Sequence, residues 1–317
     1  MNKKHFVDEI AQEINNDNTL TESAKVQVLK NLQRIKETKV NILITGATGC
    51  GKSSTINALF NAEKAKIGQG VNPETMEIAK YKLDGIVLWD SPGLGDGKEA
   101  DIRHSKNIIS KINEKNLNGE MLIDLVLVIL DGSSRDLGTS YELINNVIIP
   151  NLGKDKTRLL VAINQADMAM KGRYWNQTAN QPEHELIKFL EEKVTSTQNR
   201  IKEATGVSVN PIYYAAGYKE GSESQNPYNL SKLLLCILRH TKQEKRSVLI
   251  QDINKDQKAW KDDDKKEDYR SEIKGTFWDS VKSVIGDIAT TAALGPGGII
   301  VKKLGGLLVK KIFSFFS

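Results

Sequence analysis

The segment that most constrains the fold is residues 46–53, Gly-Ala-Thr-Gly-Cys-Gly-Lys-Ser. It follows an apolar run at 40–45 and precedes a stretch of helical character at 54–60, which predicts a strand, a glycine-rich turn and a helix in succession. Glycines allow a backbone path on which successive N–H groups surround an anion, and the following helix adds its own unpaired N–H groups. The segment therefore predicts a loop that binds the phosphates of a nucleoside triphosphate.

Two side chains in this loop have predicted roles in phosphate and metal binding. Lys52 would reach the β- and γ-phosphates, and Ser53 would place its hydroxyl on Mg²⁺. The other nucleotide contacts predicted in this region are Gly46, Thr48, Gly49, Cys50, Gly51 and Ser54. The alternative is a strand-to-helix turn that binds nothing, and the spacing and flanking segments argue against it.

Length, charge and cysteine content limit the class of protein. The chain has 317 residues, which suits one domain with appendages. Its net charge is +5, but 299–317 contains four lysines and no acid, so the rest is nearly neutral and a nucleic-acid surface is not indicated. Cys50 and Cys236 form no disulfide framework, and the N-terminus has no apolar leader core. We therefore expect a cytoplasmic protein.

Strands and helices alternate from residue 39, which is typical of a mostly parallel sheet covered on both faces. The expected fold is α/β with six strands and helical extensions at both ends. Strands are predicted at 39–45, 77–83, 85–90, 122–131, 157–164 and 209–214, and helices at 52–61, 101–115, 138–147, 183–204 and 229–240. The predicted regions are an N-terminal helical extension (1–37), a nucleotide domain (38–240), a charged linker or solvated helix (241–274) and a C-terminal amphipathic region (275–317).

The N-terminal extension is predicted to contain two amphipathic helices. The spacing from Thr19 to Glu22 matches a capping box that starts the second helix. Its apolar stripe would consist of Val26, Val28, Leu29, Leu32 and Ile35. These helices either pack on the body or form an arm that binds a partner.

A second motif, Asp90-Ser91-Pro92-Gly93, directly follows the strand predicted at 85–90. The Asp90 carboxylate can hold Mg²⁺ opposite Ser53, and the Gly93 N–H can approach the γ-phosphate. Between Ile56 and Trp89, Thr75 is the only serine or threonine. Its hydroxyl would bind Mg²⁺ as a mobile loop closes, or it caps a local element instead. The groups assigned to the reaction are thus Lys52, Thr75 and Gly93.

Two later motifs predict recognition of a guanine base. Asp167, in Asn164-Gln165-Ala166-Asp167, can accept hydrogen bonds from guanine N1–H and N2–H₂, a donor pair that adenine lacks. Asn164 would bond the base and brace the phosphate loop. In the segment 213–217, Ala215 and Ala216 lie near the base, and the Ala216 N–H is the best candidate to meet guanine O6.

The four motifs, in this order and spacing, resemble the translation-factor-related class of GTPases over residues 38–240. The Asp-x-Pro-Gly motif is similar to that of the Era-like and septin-like branches, and the string 164–173 resembles the bacterial YfjP-type GTPases. The resemblance implies a P-loop GTPase fold, Mg²⁺ as cofactor, and hydrolysis of GTP to GDP and phosphate as a conformational switch.

Three residues depart from that family pattern. Gln165 stands where lysine usually covers the guanine face, although glutamine can stack there too. Leu94 stands where better-known members carry the glutamine that orients the attacking water, which implies slow hydrolysis by the isolated domain. Gly49 stands where potassium-stimulated relatives carry asparagine. Arg135 could reach a neighbour's nucleotide across a homodimer, or it is a solvated loop arginine.

Beyond residue 275, Phe277, Trp278, Val281, Val284, Ile285 and Ile288 predict an amphipathic helix, and the glycines and proline at 295–298 would end it. Residues 299–317 place an apolar face opposite lysines, which resembles an interfacial membrane helix. Either this helix binds an anionic membrane surface, which would put the protein at the periphery of the inner membrane, or it packs on the body.

The alternative function is a nucleotide-dependent assembly or membrane-recruitment module with negligible hydrolysis, in which two copies dimerise across the nucleotide face.

Overall fold

The computed structural model describes residues 5–18, 20–60, 78–95, 97–220 and 223–289. Several sequence predictions fall outside these residues: the roles of Thr19 and Thr75, the helix end at 295–298 and the interfacial helix at 299–317. Within the described residues, no helix has the length and apolar character needed to cross a membrane.

In the described part of the chain, the α-helices are α1 (Phe6–Asn15), α2 (Glu22–Glu37), α3 (Lys52–Leu59), α4 (Lys98–Asn113), α5 (Gly138–Glu142), α6 (Ile149–Asn151), α7 (His184–Thr205), α8 (Leu230–His240) and α9 (Tyr269–Ala289). A π-helical stretch (Leu143–Ile148) joins α5 to α6, and 3-10 turns cover Lys156–Arg158, Ala169–Gly172, Gln243–Gln251 and Gln257–Ala259. The strands are β1 (Val40–Gly46), β2 (Ala79–Lys82), β3 (Ile86–Asp90), β4 (Leu125–Asp131), β5 (Leu159–Asn164), β6 (Trp175–Asn176), β7 (Gln181–Pro182), β8 (Ile212–Tyr213), β9 (Tyr218–Glu220) and β10 (Glu223–Gln225).

Among the described residues, six strands form the main sheet in the order β2-β3-β1-β4-β5-β8. All neighbouring pairs are parallel except β2 with β3, which confirms the predicted mostly parallel six-stranded sheet. The register places Asp90 beside Ile44 and Asn164 beside Asp131. Since parallel strands end at the same edge, the predicted motifs after β1, β3 and β5 meet there.

The core covers both faces of the sheet, as the alternation of β1 side chains requires. Val40, Ile42 and Ile44 pack with helices α1, α2, α3, α8 and α9 on one face. Leu43 packs on the other face, with residues of α4 and α7. Strand β1 is buried throughout, so the loop that follows it starts from a fixed support.

The N-terminal helices pack on the body, but two details of the prediction were wrong. Helix α2 begins after Thr21, whose hydroxyl accepts a hydrogen bond from the Ala24 N–H at 3.3 Å, so the cap lies two residues later than the predicted box. Val26 is 65% exposed and does not belong to the buried stripe, whereas Val28 and Leu32 do. Val26 lies about 200° around the helix from the buried Val28, so it faces solvent.

Residues 241–274 pack on the body, and the predicted charged linker or solvated helix is wrong here. Val248, Leu249, Ile250, Ile253 and Trp260 are each at most 2% exposed. Their spacing fits neither a helical nor a strand period, because the chain before α9 is built of 3-10 turns and irregular structure. The acidic run also bonds to the body. Asp262 accepts a hydrogen bond from the Arg270 side chain, Asp263 from the Asn229 N–H, and Asp264 from the Lys232 ammonium. The high content of charged residues therefore led to a wrong prediction for a segment whose apolar residues are buried.

The same segment is tied to the sheet by Asp252, which is 5% exposed. Its carboxylate accepts hydrogen bonds from the Gly85 N–H at 2.6 Å and the Asp84 N–H at 3.0 Å, in the turn before β3. Burial raises the pKa of Asp252 to about 6, although the backbone donors oppose that shift.

The raised pKa of Asp252 predicts a pH dependence of stability. Between about pH 4 and 6 the folded chain holds a proton on Asp252 that the unfolded chain releases, so this group stabilises the fold as pH falls. We compare the free energy of unfolding of the natural protein with that of Asp252→Asn. The natural protein should gain about 2 kcal/mol relative to the variant as the pH falls from about 8 to about 4.5. Urea unfolding of both proteins across this range measures the difference. A difference that stays constant with pH would contradict the assignment.

Candidate nucleotide-binding site

The predicted phosphate loop lies at the carboxyl edge of the sheet, between β1 and α3. Gly51, at the start of α3, has a left-handed backbone with φ of 86°. A Cβ at this position would lie 2.2 Å from the Asn164 side-chain nitrogen, so both the conformation and the space require glycine. The Lys52 ammonium donates to the carbonyls of Gly46 at 3.3 Å and Ala47 at 3.2 Å. The lysine is therefore held over the loop, as its predicted role requires.

Three other loop residues also take defined places. Ser53 and Ser54 are exposed in the first turn of α3, so both hydroxyl groups are open to solvent. Cys50 is buried, and burial raises the pKa of its thiol to about 11. The thiol therefore stays neutral, and the Cys50 carbonyl carries its polar contact in the site.

The Asp-x-Pro-Gly segment lies directly against the phosphate loop. The Thr48 N–H donates to the Leu94 carbonyl at 3.0 Å, and the Leu94 N–H donates to the Gly46 carbonyl at 3.3 Å. A Cβ on Gly93 would lie 2.3 Å from the Thr48 hydroxyl oxygen and 2.6 Å from its Cα. Glycine is required at 93 by this contact with Thr48, and its predicted approach to the γ-phosphate remains a prediction. In this structure the Thr48 N–H is bonded to the Leu94 carbonyl and not free to bind a phosphate.

Asp90 provides oxygen donors that suit a divalent cation. Its Oδ1 atom is buried and has no hydrogen-bond partner among the described residues. Burial raises the pKa of Asp90 to about 6, and the charge of Lys52 opposes that rise. Mg²⁺ prefers oxygen ligands and usually keeps several waters, so Asp90 and the Ser53 hydroxyl fit this ion. The described residues contain no cluster of three or more His, Cys, Asp and Glu that could hold a metal alone. Phosphate oxygens and water would complete the ligand set.

Asn164 joins the phosphate loop to the predicted base-binding turn. It is 2% exposed, and its amide nitrogen donates to the Cys50 carbonyl at 3.0 Å. Its amide oxygen accepts from the Ala216 N–H at 3.0 Å. The structure thus contains the brace expected of Asn164. The Ala216 N–H, expected to meet guanine O6, instead donates to Asn164, and the Ala215 N–H donates to the Tyr228 carbonyl at 3.1 Å.

Gln165 also holds the phosphate loop, a contact that the sequence did not indicate. Its amide nitrogen donates to the Gly49 carbonyl at 2.7 Å, and its amide oxygen accepts from the Ser133 hydroxyl at 3.3 Å. The loop that carries Ser133 is held by the Lys193 ammonium of α7, which donates to the carbonyls of Gly132 at 2.7 Å and Ser134 at 2.6 Å. A glutamine at 165 is therefore a structural link between the phosphate loop and the loop that carries Ser133. Arg135, next in the same loop, is exposed.

Asp167 lies half-buried where the base would be recognised. Its Oδ2 atom accepts from the Gln225 side-chain nitrogen at 3.2 Å, and burial raises its pKa above the usual range of aspartate. A cavity of about 640 Å³ lies beside this contact, between α3 and the turn at 215–217. Its lining includes Gly217 and Gln225 on one side and Asp256 and Lys258 on another, but not Asn164, Asp167 or any of residues 46–53.

Sequence reasoning missed the residues that support the predicted contacts from outside the motifs. The fully buried Tyr214 places its hydroxyl 2.6 Å from that of Thr55 and so ties α3 to the end of β8. Tyr214 lies within the recognised segment 213–217, but Lys193 and Gln225 belong to no motif. Their partners become visible only when the chain has folded.

Comparisons with known proteins agree with these features over part of the chain. Residues 3–104 match the family model "Interferon-inducible GTPase (IIGP)", which is less than half of the chain. Interferon-inducible GTPase 1 of Mus musculus is 42% identical over 82 residues, which are 24% of this chain and 19% of that protein. The tRNA modification GTPase MnmE of Mycoplasmopsis pulmonis (strain UAB CTIP) is 35% identical over 115 residues, or 33% of this chain and 24% of that protein. The chain thus spans about a quarter or less of the length of these relatives.

A solved structure of a probable GTP-binding protein engB aligns with 63% of this chain and 98% of its own. The sequence identity is 22% and the TM-score is 0.39, so this structural similarity is too low to assign a function to the chain. The sequence matches support a P-loop GTPase. They do not confirm the narrower resemblance to Era-like or YfjP-type bacterial GTPases.

Proposed function

We propose that this chain binds GTP and GDP and hydrolyses GTP as a conformational switch, slowly when isolated. The observation that carries the proposal is Asn164, which joins the phosphate loop at Cys50 to the base-binding turn at Ala216, with the Asp167 carboxylate three residues away. The names of the sequence relatives, which are GTPases, support the same function.

The chain's own residues would divide the work between binding and charge neutralisation. Lys52, already held over the loop, would turn from carbonyl partners to the phosphates and so counter their negative charge. Asp167 would accept the guanine donors, and Asp90 with Ser53 would hold Mg²⁺. When bound, that ion neutralises charge on the phosphate oxygens.

Leu94 supports the low rate of the isolated chain. Its side chain is 4% exposed, and its backbone N–H and carbonyl are both bonded to the phosphate loop. An apolar, buried side chain cannot orient an attacking water, so another group has to supply that function. A neighbouring copy bound across the nucleotide face is one source. Arg135 is exposed and carries a charge suited to such a role. Without any such source, Leu94 favours the second candidate function, a nucleotide-dependent assembly module with negligible hydrolysis.

Multiple-turnover release of phosphate, measured with GTP and with ATP over a range of protein concentrations, tests both candidates. We expect turnover with GTP and a rate per molecule that rises with protein concentration, because self-association would bring in the missing group. Arg135→Ala should remove the concentration dependence, whereas the exposed Lys202→Ala on α7 serves as the matched control. A constant low rate would contradict activation by assembly, and absence of turnover at every concentration would contradict hydrolysis.

A further inference from the structure

We infer that Gln225 is a specificity-determining residue of the guanine site, which acts by fixing the carboxylate of Asp167 in the orientation that accepts both guanine donors. This inference rests on the proposed function and deepens it. Gln225 is a positioning residue for Asp167, and it lies 58 positions further along the chain in the short hairpin β9–β10.

The contact between these two side chains is direct. The Gln225 amide nitrogen donates to Asp167 Oδ2 at 3.2 Å. Among the described residues, no Lys, Arg or His forms a salt bridge with Asp167. A half-buried carboxylate without a cation depends on neutral donors. The backbone N–H groups of Asp167 and Met168 act on it, and Gln225 adds a side-chain donor that lowers its pKa in the same way.

The backbone of Gln225 is fixed relative to the base-binding turn. In the register of the hairpin Gln225 pairs with Tyr218, and a Cβ on Gly217 would lie 2.4 Å from the Gln225 carbonyl oxygen. The next residue, Asn226, accepts a hydrogen bond from the Asn180 side chain at 3.0 Å. Two residues further, Tyr228 exchanges backbone hydrogen bonds with Ala215. The amide of Gln225 therefore reaches Asp167 from an anchored position.

Guanine recognition makes the orientation of the carboxylate important. The N1–H and N2–H₂ donors lie side by side in the plane of the base, so they need both carboxylate oxygens in that plane. The terminal torsion angle of an aspartate side chain takes a broad range of values, and a hydrogen bond to one carboxylate oxygen narrows that range. Hypoxanthine lacks the 2-amino group and offers a single donor, so its binding depends less on the carboxylate plane. Loss of the Gln225 donor should therefore weaken guanine binding more than hypoxanthine binding.

The test compares binding of GDP and IDP to the full chain by titration calorimetry. Gln225→Met keeps the length of the side chain and removes the donor. We expect about tenfold weaker GDP binding, as for a lost hydrogen bond to a charged group. We expect the GDP-to-IDP affinity ratio to fall by at least about threefold, since IDP uses one donor. The matched control is Gln27→Met, the same change at an exposed position of α2, which should leave both affinities unchanged.

A second variant keeps the inference testable if the first one folds poorly. Gln225→Glu places a second carboxylate against Asp167, so GDP binding should weaken further than in Gln225→Met. Equal losses for GDP and IDP would mean that Gln225 has a structural role only, and tighter GDP binding would mean that it competes with guanine. Either result overturns the inference while natural GDP binding leaves the proposed function intact. Failure of the natural protein to bind GDP would overturn the proposed function and the inference with it.

Discussion

Lys52→Ala should weaken binding of GTP with Mg²⁺ by at least about a hundredfold, because a hydrogen bond to a charged group contributes about 1.5–3 kcal/mol and Lys52 would face two phosphates. In the structure its ammonium donates to the Gly46 and Ala47 carbonyls, so the cation is already placed over the loop. No core contact depends on it, since these bonds lie within the loop. Binding of a fluorescent GTP analogue measures the effect.

The exposed Lys202→Ala variant removes the same charge from α7 and should bind GTP like the natural protein. Circular dichroism and thermal unfolding establish that both variants are folded. Binding by folded Lys52→Ala within a few-fold of the natural protein would refute the phosphate-cradle assignment of residues 46–53.

Asp167→Asn should remove most of the preference for guanine. The amide can accept from one guanine donor but presents its own N–H₂ to the other, so a favourable contact becomes a clash of donors. We expect GDP affinity to fall by at least about tenfold, while ADP affinity stays nearly constant. Xanthosine diphosphate has a carbonyl where guanine has the 2-amino group, so it should bind the variant more tightly than the natural protein.

The exposed Asp155→Asn is the matched control for charge and should leave all three affinities unchanged. Competition titrations with GDP, ADP and xanthosine diphosphate give the affinities on one scale. An Asp167→Asn variant that keeps the natural preference for GDP over ADP would show that another residue reads the base.

The sheet and the phosphate loop could be predicted from sequence because their signals are local. Strand β1 is buried at every position and is followed at once by the glycine-rich turn, so period and spacing alone identify them. The same holds for Asp90 and Asn164, each at the end of a buried strand. Chains with this alternation place such residues at one edge of a parallel sheet.

The supporting contacts could not be predicted, because they join distant parts of the chain. Gln165 departs from the lysine of the family pattern, and only the folded geometry shows its amide bonded to the Gly49 carbonyl. Likewise Asp252 bonds the turn at Asp84 and Gly85 across 168 and 167 positions. Polar residues of this kind carry no periodic signal, and irregular packed segments such as 241–260 have none for their apolar residues either.

The most direct test of a guanine-nucleotide site is the affinity of the natural 317-residue chain for GDP and for ADP, with Mg²⁺, measured by titration calorimetry. Asp167, Asn164 and the phosphate loop together predict one nucleotide per chain and GDP binding at least about a hundredfold tighter than ADP binding, since two donors to a carboxylate are at stake. Equal affinities for the two nucleotides, or no binding of GDP, would contradict the proposed function.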